Sequence, residues 1–531
     1  MRHGDEVNPS RAPECVLVNG AEGLLRTLAS GGVEVCFANP GTSEMHLVAA
    51  LDHLTQMRCI LGLFEGVVTG AADGYARMTG KPACTLLHLG PGLANGLANL
   101  HNASRAQVPI VNLVGQHATY HLRHDTPLTA DVEAIARPYS KWLRTSCAAA
   151  ESGNDAAEAV NAARTAPGCI ATLIVPADVA WSEGGIPASV PRLPIAPIPA
   201  DETIDRAGAM LRSGARTALI LAGNALHGKG LLAAGRIAAA TNAKLFAPYP
   251  FTRIERGAGL PPVERIAYIL DQAVVQLKEF RQLILVGADA PVSYFAAPGK
   301  NSVLTSPECE IHTLSTSQEN CVQGLEALAD ALSVGTMEPP GERLTRVAVP
   351  TGSIHLAGLA ASVAALLPEN AIVVDESMTS GREMMPATKG APRHDWLANT
   401  GGSIGIAMPL AVGAAIACPE RRVLCLSADG SGMYTVQALW TMAREGLKVT
   451  TVIFANRVYG VLKREFSYLG IGDPGPRAST LFAIGSPDLD WPSLARGMGV
   501  PGTRVRSLDE FTKVLAAGFE AEGPSLIEVC L

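Results

Sequence analysis

The chain has 531 residues, 48% of them hydrophobic and 17% charged, with a formal net charge of −7. That length predicts about three domains, and the acidic balance argues against nucleic acid or an anionic membrane surface as a partner. Eleven cysteines lie scattered without a CxxC spacing, the pattern of reduced thiols in a cytoplasmic protein.

Residues 1–13 read as a polar tail with no apolar signal core. A helix pattern over 18–28 leads to an apolar strand at 33–38 and a turn, Asn39–Pro40–Gly41–Thr42. A second strand, 58–64, is expected to end at Glu65, followed by a helix closed by Gly80. A third strand, 81–87, ends at His88, and the Gly90–Pro91–Gly92 turn opens the next helix. Further strands are expected at 109–114 and 170–175. Residues 186–200 carry five prolines and read as an extended linker.

A second α/β unit is expected from 201 to 337, with strands at 218–222, 244–247, 283–286 and 310–314. A Pro/Gly-rich boundary at 338–352 precedes a third unit, with strands at 371–375, 423–427, 450–454 and 525–529. The run at 401–418 is broken by glycines and Pro409 and is too short to span a membrane. The expected fold class is therefore α/β: three doubly wound, mostly parallel-sheet domains at 14–185, 201–337 and 352–531.

The stretch 421–466 reads as strand, turn, helix, strand, turn, with Asp429 and Gly430 in the first turn and Asn456 in the second. Parallel strands joined by a helix bring both turns to the same carboxyl edge of the sheet. Asp429 and Asn456, 456 − 429 = 27 residues apart, can there converge on one hard cation through oxygen ligands, beside a helix N-terminus suited to phosphate.

ADGSG with the following Ala455–Asn456 resembles the GDG…NN signature of thiamine-diphosphate (ThDP) enzymes, with Ala428 and Ala455 departing from it. Glu65, followed by Asp73–Gly–Tyr–Ala–Arg77, is similar to that family's E…ADGYAR segment. Gly401–Pro409 resembles the segment that props the cofactor in its bent form, with Ile404 at the wedging position. His88 before GPG, Thr42 in NPGTSE, and Asn102, Pro109, Gly115 and Gln116 extend the likeness to the benzoylformate decarboxylase and acetolactate synthase large subunit family.

The resemblance implies a pyrimidine-binding first domain, a central Rossmann-like domain and a diphosphate-binding third domain. It implies ThDP and Mg²⁺ (or Ca²⁺) as cofactors. Glu65, His88 and Thr42 take catalytic positions, with Glu65 the carboxylic acid on the aminopyrimidine ring. Glu65, Met378, Gly402, Ile404, Asp429, Gly430, Ser431, Asn456 and Tyr459 fall at cofactor positions, and Asp429, Asn456 and Val458 at metal positions. Thr42, His88, Leu128, Val461 and Glu465 fall in the substrate pocket. The family's second active-site histidine is replaced by Ala296, and Glu465 stands where the family has an aromatic residue. The middle domain shows no flavin fingerprint. His117, His121 and His124 lack a fourth nearby ligand for zinc.

The expected activity is a non-oxidative decarboxylation of a 2-oxo acid, with possible carboligation. Alternatives are an acetolactate synthase-like carboligase and, more remotely, a non-catalytic homologue that binds the cofactor. A homodimer or homotetramer with sites between subunits is implied, acting on a small-molecule 2-oxo acid without nucleic acid or membrane.

Overall fold

The computed structural model describes residues 18–193 and 195–531. The expected tail at 1–13, and residues 14–17 of the first expected domain, lie outside the described residues.

Three parallel sheets carry the fold. The first has six strands, in the order Arg58–Leu61, Val35–Asn39, Ala83–Leu87, Ile110–Gln116, Ile170–Pro176, Trp142–Thr145, all parallel. The second has five: Glu264–Arg265, Lys244–Ala247, Thr217–Leu221, Gln282–Val286, Glu310–Ser315, again all parallel. The third has seven: Arg253–Arg256, His394–Ala398, Ala371–Glu376, Val423–Ala428, Val449–Ala455, Ser525–Cys530, Gly502–Val505. Its one antiparallel pairing joins Arg253–Arg256 to His394–Ala398.

Side-chain alternation along these strands feeds two cores at once, as a period of two requires. In the first sheet Val35, Phe37, Ile110 and Val114 face one core, while Cys36, Ala38, Val111 and Leu113 face another. In the third sheet Ile372, Val374, Val423 and Cys425 share the core of Val35 and Phe37, and Val373, Leu424 and Leu426 share one with the second sheet.

Between the first and third sheets lie the helices Glu65–Thr79 and Ala407–Ala417. Residues 407–416 are buried throughout, so that helix is apolar all round, as an interior helix must be. The two helices meet almost backbone to backbone. A Cβ on Gly413 would lie 1.9 Å from the Ala71 carbonyl oxygen, and one on Gly74 would lie 2.2 Å from that of Leu410. Arg77 then ties the layers together. It donates bidentately to Asp73 at 2.7 Å, and also to the Ala398 carbonyl at 2.6 Å and the Thr400 hydroxyl at 3.0 Å.

Several local expectations change. Glu65 does not end a strand: the strand stops at Leu61, Phe64 takes an extended N-cap conformation, and Glu65 opens the helix. An acid in the first helical turn suits the positive end of the macrodipole. The described residues begin with a two-residue strand, Val18–Asn19, and Asn19 caps the helix Gly20–Ser30 by accepting from the Glu22 N–H. Residues 90–92 already lie inside the helix Leu89–Ala106. Six other short strands escape a pattern reading: Trp142–Thr145, Glu183–Gly185, Arg253–Arg256, Glu264–Arg265, His394–Ala398 and Gly502–Val505. Four to five residues or fewer, with charged members, give no periodic signal.

Candidate active site

In the first sheet the chain runs from Val35–Asn39 outward to Arg58–Leu61, then returns to Ala83–Leu87 on the other side. That reversal opens a crevice at the carboxyl ends of Val35–Asn39 and Ala83–Leu87, the place where such sheets bind ligands. Gly41, Thr42 and Glu44 come from one lip and His88 from the other. Glu44 is fully buried. Its carboxylate accepts from the Gly41 N–H at 2.7 Å and the Ser43 hydroxyl at 2.8 Å, and lies 2.7 Å from His88 Nδ1. A carboxylate that already accepts two hydrogen bonds assigns the proton to Nδ1, which leaves Nε2 to act.

Glu65 stands on the other side of His88. It is 9% exposed and accepts from Asn95 Nδ2 at 3.0 Å. A Cβ on Gly92 would sit 3.1 Å from Glu65 Oε1 and 3.3 Å from His88 Cβ. Glu65 and His88 therefore flank one glycine. Leu89, directly after His88, is held at φ +50, a conformation a branched residue adopts only under constraint.

The third sheet has the same reversal, between Ala371–Glu376 and Val423–Ala428. Asp429, 3% exposed, accepts from the Gly430 N–H at 2.9 Å and the Arg457 N–H at 2.7 Å. Asn456 Oδ1 accepts from the Val458 N–H at 3.0 Å. The Tyr459 ring covers Gly430, where a Cβ would lie 2.5 Å from Cε1. Ser431 is buried beside it. Met378 and Arg457, each just past a strand end, have φ +52 and +58.

Burial pushes the Asp429 carboxyl up, against the pull of its amide donors. No Lys, Arg or His pairs with it among the described residues within 4.0 Å. A buried carboxylate held only by amides lacks a cation. Among the described residues, no group of three or more His, Cys, Asp or Glu is arranged for a metal ion. His117, His121 and His124 follow one another with ring centroids 5.6 Å apart and planes tilted by 58° and 52°. A cation at Asp429 and Asn456 would therefore draw further oxygens from a bound ligand. The residues fit a magnesium diphosphate in that sense.

Residues 18–135 match the family described as "Thiamine pyrophosphate enzyme, N-terminal TPP binding domain", and residues 380–529 match its C-terminal TPP binding domain. The chain is 51% identical over 518 residues to a Mycobacterium tuberculosis (strain ATCC 25618 / H37Rv) protein named "Putative acetolactate synthase large subunit IlvX", covering 96% of this chain and 99% of that one. The chain belongs to the thiamine pyrophosphate enzyme family. A benzoylformate decarboxylase of Pseudomonas aeruginosa is 26% identical over 524 residues, covering 94% of this chain and 96% of that one. In fold the chain is similar to the Rhodococcus jostii RHA1 thiamine diphosphate-dependent 4-hydroxybenzoylformate decarboxylase, with a TM-score of 0.84, 23% identity, and coverage of 96% and 98%. Its family thus includes both decarboxylases and acetolactate synthases.

Two clusters emerge in this thiamine pyrophosphate enzyme. One holds Thr42, Glu44, Glu65 and His88, and the other Met378, Asp429, Gly430, Ser431, Asn456, Val458 and Tyr459. Among the described residues, no hydrogen bond joins Glu65 or His88 to the second cluster. Ile404 is half-buried in a loop clamped from both sides. Asn102 exchanges two hydrogen bonds with Ser403, at 2.8 and 3.2 Å. Glu376, 3% exposed, accepts from the N–H groups of Gly405 at 3.1 Å and Ala407 at 3.3 Å and from Asn399 Nδ2 at 3.0 Å. Burial pushes its carboxyl up to about 7. Gly402 lies under Tyr294, whose hydroxyl oxygen would be 1.9 Å from a Cβ there.

Thr42 and Leu128 line one cavity, together with Met45, His117 and Trp181. Val461 and Glu465 lie elsewhere, on the helix Gly460–Tyr468. Glu465 pairs with Arg464 at 3.0 Å, and that guanidinium stands 5.2 Å over the Tyr268 ring. The sequence reading missed Glu44 and Glu376. Glu44 carried only half of a capping-box signal: it sits at N3 and accepts from the Gly41 N–H, but glycine at the N-cap has no side chain to complete the box.

Proposed function

We propose that the chain is a ThDP- and Mg²⁺-dependent enzyme that decarboxylates a 2-oxo acid and releases an aldehyde. The pairing of His88 Nδ1 with Glu44 at 2.7 Å carries this reading. It supplies an oriented proton donor one glycine away from Glu65. Such a donor suits protonation of the carbon that has lost carbon dioxide, and gives R–CO–COO⁻ + H⁺ → R–CHO + CO₂. Bound ThDP supplies the carbon nucleophile and the electron sink.

Asp429 and Asn456 offer side-chain oxygens to Mg²⁺, and Val458 its backbone carbonyl. Gly430, Ser431 and Tyr459 would line the place of the diphosphate, with the Gly430 N–H spent on Asp429. Glu65 holds a proton against the pyrimidine ring, and Gly402 and Ile404 shape the bend of the cofactor. The Thr42 hydroxyl would donate to the substrate carboxylate, while His88, acting as the imidazolium, would give up its Nε2 proton and be left as the Nδ1–H tautomer that Glu44 holds.

The separation of the two clusters supports a dimer or tetramer in which the pyrimidine domain (14–185) of one copy faces the diphosphate domain (352–531) of another. No helix among the described residues is long and apolar enough to cross a membrane. The cysteines among the described residues are free, in keeping with a cytoplasmic location.

The name of the 51% identical relative favours a second reading, carboligation. Product analysis with a panel of 2-oxo acids separates the two. Aldehyde as the main product supports decarboxylation, and exclusive formation of a 2-hydroxy-2-alkyl-3-oxo acid from pyruvate overturns it. Calorimetry tests the cofactor itself: absence of saturable, Mg²⁺-dependent ThDP binding would retire the enzyme reading in favour of a non-catalytic homologue.

A further inference from the structure

The loop after the strand Ile110–Gln116 carries three histidines, His117, His121 and His124, that the chemistry above leaves unused. Their rings form a row, with centroids 5.6 Å apart at each step. Exposure rises along it: His117 and His121 are half-buried and His124 is exposed. The inner end opens on a cavity of about 300 Å³ whose wall includes His117, His121, Thr42 and Ser43. Ser43 Oγ in turn lies 3.3 Å from His88 Nδ1. The row therefore runs from solvent to the cavity beside His88. Resting on the enzyme reading above, we propose that His124, His121 and His117 form a proton relay that resupplies His88 from solvent after each turnover.

The demand for such a relay comes from the balance of the reaction. Decarboxylation, R–CO–COO⁻ + H⁺ → R–CHO + CO₂, takes up one proton per turnover. Carboligation of two 2-oxo acids with loss of one carbon dioxide takes up one as well, so the demand holds for either product. His88 gives that proton from Nε2 and is left neutral, with its Nδ1–H held by Glu44. It cannot act again until Nε2 is reprotonated. With the crevice facing a second copy, as proposed above, bulk water has few routes to that nitrogen.

The row suits the supply. A neutral imidazole has an N–H on one side and a lone pair on the other, so it takes a proton at one nitrogen and releases one at the other. Among the described residues no hydrogen bond joins ring to ring. His117 Nε2 and His124 Nε2 have only long contacts, each 3.4 Å, to Thr126 Oγ1 and Arg123 Nε. The nitrogens are thus not locked to the protein, and one water bridges each gap. The cavity has room for several waters at ~30 Å³ each.

The charges around the row favour passing the proton on. Burial is the largest influence on His117 and pushes its imidazole down, towards the neutral form; His121 and His88 add to this and Glu44 opposes it. His117 thus lies within electrostatic reach of both the next ring outward and His88. Asp178 is already engaged, accepting from the Thr119 N–H at 3.0 Å and its hydroxyl at 2.5 Å. Arg123 and Asp125 are exposed on the loop. His46 lines the same cavity, but its ring packs on Trp181 at 5.9 Å. No Lys or Arg lines the cavity among the described residues.

The test uses the holoenzyme loaded with ThDP and Mg²⁺, and the 2-oxo acid that it turns over fastest. His117→Gln and His121→Gln keep a polar side chain but carry no proton. Each should lower kcat by ~10-fold or more at similar KM, below the usual range for a proton-transfer group because water can bypass a relay. Rapid mixing should show a first turnover at the wild-type rate followed by the slow steady state, since His88 starts with its proton. Imidazole added to the buffer should restore the steady state saturably.

A second readout needs no cofactor. In the ThDP-free protein with isotope-labelled histidine, His121→Gln should move the NMR titration midpoint of His117 upward, because a neighbouring cation is gone. Wild-type kcat in both variants overturns the relay, as does an unmoved His117 midpoint. A slow first turnover without imidazole rescue also overturns it and gives the loop a structural role. Each of those outcomes leaves the enzyme reading standing, because the wild type still turns over. If the wild type binds no ThDP or converts no 2-oxo acid, that reading falls first, and the relay falls with it for want of a proton to deliver.

Discussion

Glu376→Gln is the perturbation whose size can be worked most directly. Glu376 is buried and its carboxyl is pushed up from 4.5 to about 7, with burial the largest cause and the amides of Ala407 and Gly405 and the Asn399 side chain opposing it. The folded chain therefore keeps a proton that the unfolded chain releases above pH 4.5. Where the unfolded state binds fewer protons, stability falls as pH rises. The stabilising contribution is full below pH 4.5, is lost across the interval from 4.5 to about 7, and is constant above it. The difference is 7 − 4.5 = 2.5 pH units, which at about 1.4 kcal/mol per unit comes to about 3 kcal/mol.

The glutamine variant is neutral throughout and lacks this slope. It still offers one oxygen to the loop, so the fold should survive with a constant offset. Urea unfolding of the ThDP-free proteins between pH 4.5 and 8, compared as wild type minus variant, isolates Glu376 from other titrating groups. The difference should change by about 3 kcal/mol in disfavour of the wild type as pH rises. Parallel stability curves for the two proteins would refute the reasoning, because Glu376 would then be ionised alike in both states.

Three further substitutions test other parts. Glu65→Gln should bind ThDP and Mg²⁺ with similar affinity by calorimetry yet lose ~10²–10⁴-fold in turnover, the range for removing a positioned acid–base group; near-normal turnover would remove Glu65 from its role. Glu44→Gln frees the proton of His88 from Nδ1 and should lower kcat by ~10–100-fold with little change in KM, so a pure KM effect would count against an orienting role. Arg77→Met leaves Asp73 buried without its partner and should cost ~3–5 kcal/mol by urea unfolding; a neutral outcome would mean that Asp73 takes up a proton at little cost.

The long central strands were legible because their apolar runs are fully buried. Val449–Ala455 and Ile170–Pro176 are buried along their entire length. Of the edge strands, Arg58–Leu61 and Glu310–Ser315 were legible and Arg253–Arg256 was not: it has a single apolar residue and is defined by pairing with His394–Ala398, 142 positions on from Arg253 to Asp395. Asp429 and Asn456 directly follow the strands Val423–Ala428 and Val449–Ala455, the strand-end placement that the spacing of their turns predicted. Glu44 and Glu376 were not legible because their meaning lies in partners: His88 is 44 positions from Glu44, and Gly405 is 29 from Glu376. The Glu465 position shows the reverse. The sequence displays an acid near a pocket, and only the Arg464 contact at 3.0 Å neutralises it.

Four buried carboxylates, Glu44, Glu65, Glu376 and Asp429, sit at the two crevices, and none has a Lys or Arg partner among the described residues. Each is held mainly by backbone or side-chain donors, and burial pushes Glu376 and Asp429 up. A chain under pressure only to fold would gain by replacing such groups with apolar residues. Their presence makes sense when each orients something. Glu44 holds His88 at Nδ1, Glu376 holds the amides that follow Ile404, and Asp429 accepts from two amides at the end of its strand. The Ala428 and Ala455 departures do not disturb this logic, since neither replaces a side chain that donates an oxygen. The two crevices are also tied within one chain, because Asn102 of the first unit clamps Ser403 in the loop whose following amides Glu376 holds.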